Sequence, residues 1–191
     1  KRRHDEAVEE VRKNRERIEE IEREAAADRM RDKYPGAEEH LQEIRNRYEY
    51  KDSEYQIIVP KRLMEIVKEG AALHHCVGSS ERYFERIRDK ETYICFLRRV
   101  SEPDKPYYTI EVEPGGTIRQ HRSMYDEEPD IEQIRGFLRK WQKKIRKRLN
   151  EEDRKLAQIS AEKRKKNIEE LMEKNNTRVL KALEEDFMEA V

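Results

Sequence analysis

Two histidines, a cysteine, a glycine and two serines fall within the eight residues LHHCVGSS, 73–80, of a chain otherwise dominated by lysine, arginine and glutamate. Cys76 stands just ahead of a predicted helix start at Gly78, Ser79 and Ser80, where the positive end of a helix dipole favours thiolate over thiol. With His75 or His121 as base or ion-pair partner, that is the smallest arrangement that makes a cysteine nucleophile. The same residues support a reading without a covalent step. Backbone N–H groups at Gly78 to Ser80, two hydroxyls and the neighbouring His74 suit a phosphate or a carboxylate. His74, His75, Cys76, Cys95 and His121 are also of zinc-ligand type, but no paired spacing joins them, so no metal and no cofactor is assigned. The plain structural alternative turns one histidine inward, hydrogen-bonded, and uses Cys76 and Val77 as core.

Polar residues on two later segments share the problem. In YYTIEV the alternation puts Tyr108, Ile110 and Val112 on one strand face and Thr109 and Glu111 on the other. In TIRQHR, Gln120 and Arg122 share a face, and Arg119 and His121 share its opposite. A pair such as Glu111 with His121, or Gln120 with Thr109, would lie within reach of the LHHC loop, and the alternative is ordinary cross-strand pairing.

These residues need elements to hold them. Residues 55–59 read as a short β-branched strand, and Pro60 stands where a helix takes its first residue, with Leu63, Met64, Ile66 and Val67 as its buried side up to Gly70. Tyr83, Phe84 and Ile87 mark a helix over 80–89. The stretches 92–99 and 107–113 are strands by their aromatic and β-branched content, and Pro114-Gly115-Gly116 turns the chain into a third, 117–121. Together they predict an α+β fold, an antiparallel meander backed by helices, over 51–150. Helical extensions flank it. In 1–31 a thin stripe (Val8, Val11, Ile18, Ile21, Ala25) needs a surface to lie on, and 37–48 is a short helix. The segment 151–191 stays helical, with a break at Asn175-Asn176-Thr177 and Thr177 as the cap of a last helix. The two ends are expected to pair with each other or with a partner chain.

Composition narrows the function classes. Forty-three basic and 43 acidic side chains cancel, so any attraction to nucleic acid must be local. The local patch is 131–150, with Arg135, Arg139, Lys140, Lys143, Lys144, Arg146, Lys147 and Arg148 against Glu132 alone, a net charge of +7. Such a helix can track a phosphate backbone of RNA or DNA. Two cysteines without a CxxC pair point to a reducing, cytoplasmic setting, and no apolar run is long enough for a membrane. The chain opens on Lys1 inside helical sequence, as a fragment would.

The motif order LHHCVGSS, ETYICFLRR, PYYTIEV and IRQHR resembles that of PcfJ-like proteins, a family of conjugative plasmids and phages, over residues 60–142. The resemblance picks out His74, His75, Cys76, Val77, Gly78, Thr109, Glu111 and Gln120. It implies a mobile-element context and no defined reaction. After Gln120 the family commonly has a turn with glycine and asparagine, where this chain has His121-Arg122-Ser123-Met124-Tyr125-Asp126. The leading expectation is therefore a nucleic-acid-associated accessory protein with a His/Cys-lined pocket next to the basic helix. The alternatives are a hydrolase or transferase acting through Cys76, and a protein-interaction module acting through the terminal helices.

Overall fold

Alternating apolar residues build a five-stranded antiparallel sheet whose spatial order follows the chain: β1 (Tyr50–Lys51), β2 (Tyr55–Ile58), β3 (Tyr93–Arg99), β4 (Tyr108–Val112) and β5 (Ile118–Arg122). The computed structural model describes residues 1–191. Seven helices complete the α+β fold: α1 (Arg2–Lys33), α2 (Ala37–Tyr48), α3 (Leu63–Leu73), α4 (Glu81–Arg88), α5 (Ile131–Lys147), α6 (Glu151–Glu173) and α7 (Thr177–Asp186). None is long and apolar enough to cross a membrane.

Both faces of the sheet are covered. Register pairs Ile94 with Glu111, Phe96 with Thr109 and Glu111 with Gln120, so these five side chains share one face, under α3 and α4. Tyr93, Cys95, Leu97, Tyr108, Ile110 and His121 share the other, under α2 and α5. There Phe137 packs its ring against Tyr50 and Tyr55, and the Trp141 indole N–H donates to Tyr48 O at 2.6 Å. Every residue of β4 is buried, Thr109 and Glu111 included, so the expectation of one apolar and one polar strand face gives way to two buried faces. Glu111 belongs there because it is hydrogen-bonded and ion-paired.

Several boundaries differ from expectation. Pro60 does not begin α3, which starts three residues later behind Arg62. The two-residue β1 carries too short a pattern to be read. Asn176 rather than Thr177 caps α7, its side chain accepting from Val179 N. No hydrogen bond or ion pair joins α1 to the C-terminal helices, although Arg47 of α2 pairs with Asp153 at the start of α6. Val8, Val11, Ile18 and Ile21 of α1 are more than half exposed, and α1 meets the core only from Glu24 onward, through Arg62, Ala27 and Met30. The C-terminal helices instead clasp β5: Met188 exchanges two backbone hydrogen bonds with Ile118 (2.9 and 3.0 Å), and Asp186 holds Arg122 at 2.7 Å.

Candidate functional site: a polar cleft at the LHHCVG turn

The turn owes its shape to close backbone packing. His74 ends α3 in the left-handed conformation (φ 53°), and residues 76–78 form a single 3₁₀ turn. A Cβ on Gly78 would stand 2.8 Å from Ile66 O and from Val67 Cα, so only glycine lets the turn rest on α3. Val77 is buried beside it, and Cys76 is exposed.

Three of the expected anion donors are engaged within the turn itself. The N–H groups of Ser79 and Ser80 both donate to Cys76 O at 3.0 Å, and the Ser79 hydroxyl donates to the same oxygen at 3.1 Å. Gly78 is pressed against α3.

Cys76 instead opens onto a cleft of about 870 Å³ between the sheet and the C-terminal helices. Its floor is a connected polar layer. The Gln120 side-chain amide donates to Glu111 Oε1 at 3.0 Å and to the Tyr83 hydroxyl at 3.1 Å. Thr92 and Arg86 donate to the second Glu111 oxygen at 2.7 and 3.0 Å. Burial alone would favour a protonated Glu111, but Arg86, Arg119 and these hydrogen bonds outweigh it and hold its pKa below the usual range. Burial pushes the Tyr83 hydroxyl up to about 12, so it remains a donor. The opposite wall is apolar, from Ile168 and Leu171 on α6 and Leu180 and Leu183 on α7.

Of the residues expected to act together, the cleft therefore unites Cys76, Glu111 and Gln120. The histidines fall elsewhere. His75 turns under the sheet and shares a 2.9 Å hydrogen bond between Nε2 and Thr109 Oγ1, while desolvation lowers its pKa and keeps it neutral. His74 is exposed and stacks on Tyr125, ring centres 4.7 Å apart. His121 lies on the opposite face of the sheet from Glu111 and Gln120, which corrects its assignment as the base for Cys76. Cys95 shares that far face, so no metal set forms from the two cysteines and the histidines around Cys76. The thiols should separate chemically. Alkylation in mildly alkaline buffer should label Cys76 in the native protein and Cys95 only after denaturation, since burial drives the Cys95 pKa up. Mass spectrometry showing two native labels would contradict this.

Sequence reasoning missed the arginines. Arg119 was placed on the face of His121, but a β-bulge leaves it without a strand partner between Gln120, opposite Glu111, and Ile118, opposite Val112. It reaches Glu113 (2.8 Å), Glu91 (2.7 Å) and Ser160 O (3.0 Å). Arg164 joins Glu113 at 2.6 Å. In a chain this charged, composition cannot tell these buried ions from solvated ones. A detectable signal was the Tyr83–Arg86 spacing, which puts both on one side of α4.

The turn after β5 also has a physical reading. Tyr125 and Asp126 both adopt left-handed backbone (φ 54° and 61°), a conformation that glycine and asparagine take at least cost. The chain keeps the backbone shape while using the Tyr125 ring to cover His74.

The basic helix lies apart from the cleft. α5 packs on the far face of the sheet, which corrects the expectation of a pocket next to it. Arg139, Lys140, Lys143, Lys144, Arg146 and Lys147 are all exposed, and none has a carboxylate within 4.0 Å. Arg139 donates to Glu189 O and Gln142 Oε1.

Comparison with known proteins adds a family. A protein of Listeria innocua serovar 6a described as uncharacterised, Lin1253/Lin1744, is 40% identical over 75 residues, which is 39% of this chain and 16% of that protein. The chain thus spans about a sixth of that relative's length. No solved structure matches. The family described as PcfJ-like protein matches residues 1–138, from the first helix into α5, and the chain belongs to that family.

Proposed function

We propose that this protein binds the phosphate backbone of nucleic acid through the outer face of α5, in the plasmid or phage setting that the family resemblance implies. The observation that carries this is the unpaired stripe. Ion pairs engage many of the other arginines, whereas the six cations from Arg139 to Lys147 face solvent without a carboxylate partner. Burial of Phe137, Leu138, Trp141 and Ile145 fixes the helix rotation so that these cations all point outward. The contact proposed is to phosphate, which positions a protein on a duplex without carrying sequence information. The stripe lies wholly beyond the matched residues 1–138, so it is a property of this chain rather than of the matched region.

The cleft lies on the other side of the sheet from α5 and takes no part in this contact, and it is not equipped as a hydrolytic centre. His75 commits Nε2 to Thr109, and His121 is across the sheet, so Cys76 lacks the positioned base that a thiol nucleophile needs.

The test is binding of duplex RNA and duplex DNA of one sequence across a salt series. Wild-type affinity should fall steeply with salt. Reversing Lys140, Lys143, Lys144 and Lys147 to glutamate should flatten the log–log slope by roughly 3 to 4 units, at about 0.9 per lost phosphate contact. Unchanged binding in that variant would overturn the proposal, and binding of an acidic protein but neither duplex would assign the stripe to a protein partner.

A further inference from the structure

The buried edge beyond β5 gathers three metal-ligand side chains that the sequence places 65 residues apart. His121 from β5, Glu128 from the following loop and Asp186 from the end of α7 bring one ligand atom each within 4.8 Å of one another. His121 is fully buried, and neither ring nitrogen has a hydrogen-bond partner. Glu128 Oε1 and Asp186 Oδ1 are likewise buried and unpartnered. Four orphaned polar atoms in one spot are costly, because each loses its water without a replacement.

We propose that His121, Glu128 and Asp186 form a divalent-metal site that fastens the C-terminal helix to the sheet. His121 Nδ1 stands 2.9 Å from Glu128 Oε1 without the alignment of a hydrogen bond. Two ligands on a tetrahedral zinc are separated by roughly 3.3 to 3.6 Å, a few tenths of an ångström beyond this spacing. One nitrogen and two carboxylates suit zinc or manganese, and zinc is the tighter binder of the two. A second-shell partner is present too, since Arg122 Nε forms an ion pair with the other Asp186 oxygen at 2.7 Å. Glu128 is a quarter exposed and provides the way in. Burial lowers the His121 pKa to about 4, leaving a neutral imidazole, and raises that of Asp186 to about 8, which a cation would reverse.

His121 faces the opposite side of β5 from Glu111 and Gln120, Asp186 reaches it from the edge of the cleft, and the site is independent of the proposed nucleic-acid contact. The 191-residue chain stripped with chelator should bind one equivalent of Zn²⁺ by calorimetry and gain thermal stability on doing so. Glu128→Gln, at the most exposed ligand, should weaken Zn²⁺ on the order of 10–100-fold or more, since even outer-shell partners are worth that much. It should also abolish the Zn²⁺-dependent shift in melting temperature. Cys76→Ala should bind as wild type, and the Co²⁺ form should show ligand-field absorption without a thiolate charge-transfer band. Unchanged affinity in Glu128→Gln, loss of binding in Cys76→Ala, or no Zn²⁺ binding by wild type would each overturn the proposal.

Discussion

Replacing Arg119 by methionine should lower the free energy of unfolding by about 3–5 kcal/mol, the range for removing one partner of a buried ion pair. Arg119 is 5% exposed and binds four oxygens, on Glu113, on Glu91 and two on Ser160. Burial opposes its charge, yet Glu111 and Glu113 raise its pKa, so the guanidinium stays charged and the carboxylates depend on it. Without it, Glu113, itself 2% exposed, keeps only Arg164. The loss also leaves Ser160 of α6 with only its hydroxyl bond to Glu91 O, cutting the direct tie from α6 to β5. Urea unfolding followed by circular dichroism measures the effect. Adding Glu113→Gln to the variant should recover part of the loss, because the double change no longer strands a charge. A loss below about 1 kcal/mol, typical of an exposed pair, would show that the network is solvated.

The second large effect is expected at Gly78→Ala, which should cost at least the 1–3 kcal/mol typical of overpacking, about the same as Gly70→Ala. In both, the new methyl meets backbone that cannot rotate away: Ile66 O at 2.8 Å in the first, Gly78 N at 2.6 Å in the second. Ile66 is 1% exposed, so α3 has no room to retreat, and the turn must lift instead. The lift carries Cys76 out of the cleft. Thermal melting should therefore fall by several degrees, and alkylation of Cys76 should change rate in parallel. The two glycines face each other, so the double variant should cost less than the sum of the singles. A Gly78→Ala protein with wild-type melting would contradict the close approach.

The strands were legible because aromatic and β-branched residues crowd TYICFLRR and YYTIEVE, whatever packs on top. What covers each face was not. Thr109 and Glu111 look like solvent-side residues until Arg86, Thr92 and His75 arrive from elements far along the chain. Cys76, Glu111 and Gln120 were singled out together and do meet, since the register that pairs Glu111 with Gln120 follows from a tight hairpin. His121 followed the same alternation to the opposite side. Arg119 escaped because one extra residue in a strand resets the alternation, and nothing in TIRQHR announces it. The His121, Glu128 and Asp186 cluster is a product of tertiary folding alone, joined only when α7 returns to the sheet.

That return has a consequence for how the chain behaves among its own copies. β5 is the last strand of the sheet, and an uncovered last strand offers a row of unsatisfied N–H and C=O groups to any passing chain. Met188 occupies the Ile118 pair of such groups, Ala190 N donates to Thr117 Oγ1 at 3.2 Å, and Gln142 ties Met188 O to α5 at 2.8 Å. The final residues thus act as a built-in decoy strand, filling a short stretch at one end of the seat that a neighbouring molecule would otherwise take and keeping the sheet from growing sideways into an aggregate.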